Sequence, residues 1–124
     1  MANIKAIGED LVKLCNEGKN LECVNKYYAE DVVSVEAKVG PGSDSREAVG
    51  IEAVRGKNTW WEENHEVHSS KTEGPFPHGD DRFAAIFDMD VTMKASGQRM
   101  QMHEIGVFHV KDGKIVREEF FYDM

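Results

Sequence analysis

The sequence predicts an α+β fold in a single domain over residues 1–124, with helices first and a sheet after them. Three observations lead there. Near the N-terminus Ile4, Ile7, Leu11 and Leu14 recur at helical spacing, an apolar stripe that needs a sheet to cover. From Val67 onward, four segments alternate apolar and polar residues with the period of a half-buried strand. Asp112-Gly113, between the last two segments, is a strong two-residue hairpin signal. Helices set ahead of an antiparallel meander favour α+β over a doubly wound parallel sheet, with a curved sheet wrapped against the long helix.

The first helix is expected from about Ile4 to Glu17, with Asn3 as N-cap and Gly18 as its stop. Asn20 is placed to cap a short second helix through Tyr27 that buries Leu21, Val24 and Tyr28. Val32 to Ala37 is a β-branched run that reads as a strand, with Glu36 at its exit. Gly40-Pro41-Gly42 ends that strand in a loop to Ser45, a candidate lid. A third helix spans about Ile51 to Asn64, with Ile51, Val54, Asn58, Trp61 and His65 on one face and Gly56 in its middle. Strands follow near Val67–Thr72, Arg82–Lys94, Arg99–Lys111 and Lys114–Tyr122, and Gly74 to Gly79 separates the first two.

Net charge −8 and a pI near 5.1 oppose approach to a phosphate backbone, so nucleic acid is excluded as a partner. There is no signal-peptide pattern at Met1-Ala-Asn-Ile-Lys5 and no apolar run long enough for a bilayer. The expectation is a soluble, cytoplasmic chain without a membrane role. Cys15 and Cys23 fall in apolar helical segments, where burial raises a thiol pKa and leaves no polarised nucleophile.

Other motifs lead nowhere specific. Gly40-Pro41-Gly42-Ser43 lacks the Lys-Ser/Thr of a phosphate cradle, and no Gly-x-Ser-x-Gly elbow occurs. His65 and His68 straddle a helix end and a strand start, which points two imidazoles to opposite faces and argues against a metal site. No cofactor is called for.

Acid/base chemistry or binding remains. On the strand from Met100 to Val110, the face Met100, Met102, Glu104, Gly106, Phe108, Val110 carries one charge. A carboxylate there must be paired, protonated or used, and desolvation makes it an acid or base near neutral pH. Glu36 and Glu104 are the catalytic candidates. In the preceding strand the odd positions Phe83 to Met93 are apolar, so Asp88 and Asp90 face outward as a solvated face or an interface rather than a dyad. The last strand is ambiguous. Placing Val116, Glu118, Phe120 and Tyr122 inward puts Glu118 and Tyr122 in the cavity with Glu104; alternatively Glu118 pairs with a surface cation. Trp61 reads as core or rim packing that can also border a site, and Met89 and Met102 belong to a soft apolar set that fills a core or lines a cavity.

The order of two helices, Tyr27-Tyr28-Ala29-Glu30-Asp31-Val32-Val33, a long helix and four strands ending in Val110 to Tyr122 resembles the SnoaL-like branch of the NTF2-like superfamily. The Tyr-Ala-Glu-Asp entry to the first strand and the Asp112-Gly113-Lys114-Ile115 hairpin carry the likeness, which covers essentially the whole chain. The resemblance implies a cone-shaped α+β barrel, with N-terminal helices packed on a curved mixed or antiparallel sheet. It also implies a homodimer and a pocket between sheet and helices, and the lone Glu104 on a Met-lined face gives the expectation that a small, largely apolar molecule binds there. The superfamily includes ketosteroid isomerases, polyketide cyclases, dehydratases, epoxide hydrolases and members without a known reaction, so fold offers a menu. Laid against a ketosteroid isomerase, the general base falls on Glu36, the oxyanion tyrosine near Leu11 and the protonated aspartate near Gly106. With both oxyanion donors missing, steroid isomerisation is disfavoured. The same alignment turns His68, Ser70 and Thr72 toward the cavity, where Glu36 or Glu104 with His68 approximates a cyclase pattern. A non-catalytic ligand-binding or dimerisation module is the alternative to an isomerase or cyclase.

Overall fold

Asn3 opens the first helix as its position predicts: in the computed structural model, which describes residues 3–39 and 44–122, its side-chain oxygen accepts the Ala6 N–H at 3.1 Å. Helix α1 (Ile4–Asn16) buries Ile4, Ile7, Leu11 and Leu14, the expected stripe, and Gly18 follows at φ +73°. Helix α2 (Asn20–Tyr27) is capped at Lys19 without a side-chain bond, so Asn20 is its first residue and not its cap. Strand β1 (Tyr28–Val35) starts four residues earlier than the β-branched run suggests, because Tyr28 pairs with Ile115 as soon as α2 ends. Glu36 then lies just past the strand. The candidate lid falls largely outside the described residues, which omit 40–43.

Strand β2 (Glu47–Val49) is a three-residue edge that the sequence pattern did not reveal, and α3 (Ile51–Asn64) has the expected bounds. Strands β3 (His65–His78), β4 (Arg82–Met93), β5 (Arg99–Lys111) and β6 (Lys114–Phe121) form the meander. Strand β3 runs through Gly74 to His78, which the Gly/Pro content marks as a loop. A register shift between Glu73 and Phe76 absorbs the irregular residues, and pairing with β4 resumes.

The sheet order is β2-β1-β6-β5-β4-β3, antiparallel except for the parallel β1–β6 pair. It is a mixed sheet whose edges β2 and β3 stay open, so the barrel of the expectation does not close. The helices bury one face of it. Phe83, Phe108, Leu11, Ile115, Val32 and Val54 form the solvent-free centre, the region where large-to-small changes cost most. Among the described residues, no helix is long and apolar enough to cross a membrane.

A bulge corrects the expected parity of β6. His109 pairs with Arg117 but Val110 pairs with Ile115, which leaves Val116 as an extra residue. Ile115 and Glu118, three apart, therefore both point into the protein, and Val116 does not take the inward place expected of it.

Gly8 lets α1 lie directly on β3. A Cβ there would stand 2.6 Å from Pro75 Cβ and 2.8 Å from its Cγ. Gly8→Ala gains about 1 kcal/mol of helix propensity but loses more to overpacking, for a net destabilisation of about 1–2 kcal/mol, measurable by urea unfolding.

Candidate functional site

Alternation along β4 and β5 puts Phe83, Ala85, Phe87, Met89 and Val91 on the same face as Met100, Met102, Glu104, Gly106 and Phe108. Half of this face is packed solid. Rings of Phe83, Phe87, Phe108 and Phe120 meet at centroid distances of 5.1 to 6.3 Å. Gly106 makes room for them, since a Cβ there would lie 3.0–3.1 Å from Phe108 and Phe120. An aspartate at that position, the isomerase arrangement, has no space.

Beyond the aromatic floor Met102 and Val91 are buried, and Glu104, Met89 and Met100 are half-buried. Glu104 sits opposite Phe87 on β4, and the Ile105–Phe121 pairing sets Tyr122 near its other side. Glu104 is half-buried, and among the described residues no hydrogen bond or ion pair reaches its carboxyl. Burial pushes it up to about 7; the charge of Glu36 adds to the rise and Lys57 opposes it. Met102 is buried and pairs with half-buried Met89, which in turn lies opposite exposed Ser70. Trp61 stacks on His65 at 4.5 Å between centroids, and its carbonyl oxygen lies 2.8 Å from His65 Nδ1. It is part of the α3–β3 junction.

The other carboxyls belong to one chain of contacts. Glu118, 3% exposed, accepts from the Tyr28 hydroxyl and from Ser34 Oγ at 2.6 Å. Lys57 Nζ donates to Ser34 Oγ at 2.6 Å, pairs with Glu36 at 2.5 Å and lies 5.3 Å from the Phe120 ring centre. Tyr122 closes the chain by donating to Glu36 at 3.2 Å. Burial pushes Glu118 up despite the bonds from Ser34 and Tyr28, and pushes the Tyr122 phenol up to about 12 with help from Glu36. Glu118 thus points inward, as placed, and among the described residues makes no ion pair at the surface.

One sequence expectation changes. A register shift between Val67 and Ser69 turns His68 outward, where its Nε2 lies 2.7 Å from Thr92 Oγ1, so it is no partner for Glu104 or Glu36. Thr72 is buried opposite Phe87, on the face expected of it, and its backbone is held by Asn16 at 2.8 and 3.0 Å, a helix-to-sheet clamp. Asp88 and Asp90 face outward, with His103 and Arg99 as partners. Sequence reasoning passed over Lys57, Ser34 and Tyr28. The signal existed: Lys57 lies three residues after buried Val54 and four before Trp61, and Ser34 is in phase with Val32.

A shallow groove of about 450 Å³ lies at the start of α3, lined by Glu30, Val49, Gly50, Ile51, Glu52 and Arg55. It is open and includes none of the acid-chain residues. Burial from Cys15 to Cys23 raises both thiols, Cys15 to about 12, so neither is a nucleophile at neutral pH.

A model of the SnoaL-like domain matches residues 2–122. The chain belongs to the SnoaL-like family. A Mesorhizobium loti protein, called a candidate SnoaL-like polyketide cyclase, is 45% identical with a TM-score of 0.89, the match covering 97% of this chain and 99% of that one. A Burkholderia pseudomallei NTF2-like protein of unknown function shares the fold at TM-score 0.72 and 16% identity, over 93% and 86% of the two chains. A Catenulispora acidiphila protein with a ketosteroid isomerase-like fold, in complex with trimethylamine, superposes at 0.70 and 14% identity over 92% and 82%. No curated protein matches the chain. The SnoaL-like family is an α+β fold with no single reaction, so Glu104 and its neighbours must carry any functional argument.

Because Glu104 rises from 4.5 to about 7 on folding, the folded state holds a proton that the unfolded chain releases. Its contribution is intact below pH 4.5 and is lost as pH climbs through 7. The loss amounts to at most about 3 kcal/mol. Glu104→Gln, uncharged throughout, is expected to flatten the fall in unfolding free energy between those pH values and to be the more stable protein at pH 8. Chemical denaturation across pH 4–8 reads both.

Proposed function

We propose that this SnoaL-like protein binds a small, largely apolar molecule against the half-open end of its inner face and moves a proton on it with Glu104. The observation that carries the reading is the Glu104 carboxyl: half-buried, beside Phe87, raised toward neutrality and without a partner among the described residues. Glu36 is the second carboxylate, held by Lys57 and Tyr122. Met102, Met89 and Trp61 supply apolar contact, and Ser70 a hydroxyl at the rim. The reaction class is isomerase-like or cyclase-like, in keeping with the name carried by the Mesorhizobium relative. No cofactor is needed for proton transfer between carbon and oxygen. A cytoplasmic setting fits the two free cysteines.

Thermal unfolding against hydrophobic ketones, lactones, phenols and sterols tests the pocket. A ligand at a hundredfold its Kd stabilises the native state by about 2.7 kcal/mol, a rise of several degrees in Tm. With such a ligand in hand, Glu104→Gln is expected to keep its binding and lose its turnover by about a hundredfold or more. A protein that no compound stabilises is not a small-molecule binder of this kind.

The second reading, assembly, rests on the opposite face. Ile105 and Phe121 pair across strands there, 39% and 50% exposed, with Ile86 beside them. A second copy of the chain covers this patch in the homodimer we propose. Light scattering is expected to give twice the 14.0 kDa chain mass, and Phe121→Asp to halve it. A wild-type protein of single mass ends that proposal and leaves the pocket untouched.

A further inference from the structure

Glu118 takes no part in the proton transfer proposed above, yet it is buried at the centre of the molecule with a full set of partners. A Glu in such a place costs stability unless something offsets it, and a hydrocarbon side chain would fill the space more cheaply. Its arrangement has a direction. Tyr28 and Ser34 both donate to Glu118, which leaves Ser34 Oγ with lone pairs and no further proton to give. Lys57, a donor with three N–H bonds, fills that acceptor and spends a second bond on Glu36. The buried cluster therefore grips the root of one ammonium, and the ammonium grips the carboxylate at the mouth.

The groups around Lys57 come from several elements. Tyr28, Ser34 and Glu36 belong to β1 and its exit, Glu118, Phe120 and Tyr122 to β6 and the residue after it, and Glu104 to β5. Cys15 and Cys23 lie behind Glu118 and stay neutral. Of the three carboxyls Glu36 alone touches the ammonium; Glu118 reaches it through Ser34, and Glu104 through its neighbour Tyr122, which donates to Glu36. We propose that Lys57 is the positioning residue of this site: anchored through Ser34 to the buried Tyr28–Glu118 pair, it holds Glu36 and, through Glu36, Tyr122 in place beside Glu104. The inference rests on the reading of Glu104 as the working acid, and it assigns the buried cluster a purpose that the reading lacks.

The experiment is carbonyl-carbon NMR titration of the glutamates in the full chain, with Glu104 assigned through Glu104→Gln, on wild type, Lys57→Met and Lys57→Arg. Lys57→Met is expected to raise the Glu104 midpoint by about one pH unit, and Lys57→Arg, which keeps the charge, to return it to the wild-type value. Lys57→Gln supplies a second uncharged variant if the Met protein does not fold. A merely structural strut would lower Tm in the Met or Gln protein and leave the midpoint in place, and that result overturns the proposal. A wild-type midpoint near that of an exposed glutamate would overturn the acid reading instead, independently of how the midpoint responds to Lys57.

Discussion

The carboxyl of Glu118 is the constraint around which the inner half of the protein is arranged. A buried carboxyl without partners is one of the costlier groups a core can hold, so its oxygens dictate what surrounds them. Tyr28 and Ser34 must come from β1, which requires β1 to lie directly beside β6. That parallel pairing is the one departure from the antiparallel meander, and the chain between the two strands, β2, α3 and β3 to β5, provides the long connection it needs. Lys57 must then come from α3 at the height of Ser34. One side chain thus ties β1, β6 and α3 into a fixed relation.

The bulge at Val116 is what allows this. Without an extra residue, Ile115 and Glu118 would fall on opposite faces, and either the core would lose Ile115 or the carboxyl would face solvent. The same device acts in β3, where the shift near His68 sends an imidazole outward while Ser70, two residues on, pairs with inward-facing Met89. Irregular pairing is therefore how the sheet sorts its polar residues between the two faces.

Those irregularities mark where sequence reasoning ends. Helix α1, helix α3, the bounds of β5 and the inward face of β4 and β5 were legible because period and punctuation agree there. Glu104 was legible for the same reason, as one charge in an unbroken alternation. His68 and Val116 were not, since a bulge reverses parity without leaving a mark in residue type. Strand β2 was too short for any period, and β3 carries its Gly and Pro inside the pairing instead of beyond it. Lys57 escaped notice because a lysine on a helix is ordinarily solvated, and what holds this one inward is Ser34, two elements away in sequence.

The three glutamates on one face show why residue type alone assigns no role. Glu36 lies at the rim with an ammonium and a phenol as partners, so its oxygens are committed. Glu118 is surrounded by donors and has no access to solvent or ligand. Glu104 has, among the described residues, no hydrogen-bond or ion-pair partner and is only half-buried, and that burial raises it toward neutrality. Environments that push like groups apart in proton affinity are how a site separates acid from base. By that rule the proposed division of labour follows from placement: Glu118 anchors, Glu36 holds Lys57 and Tyr122, and Glu104 is the group proposed to exchange the proton.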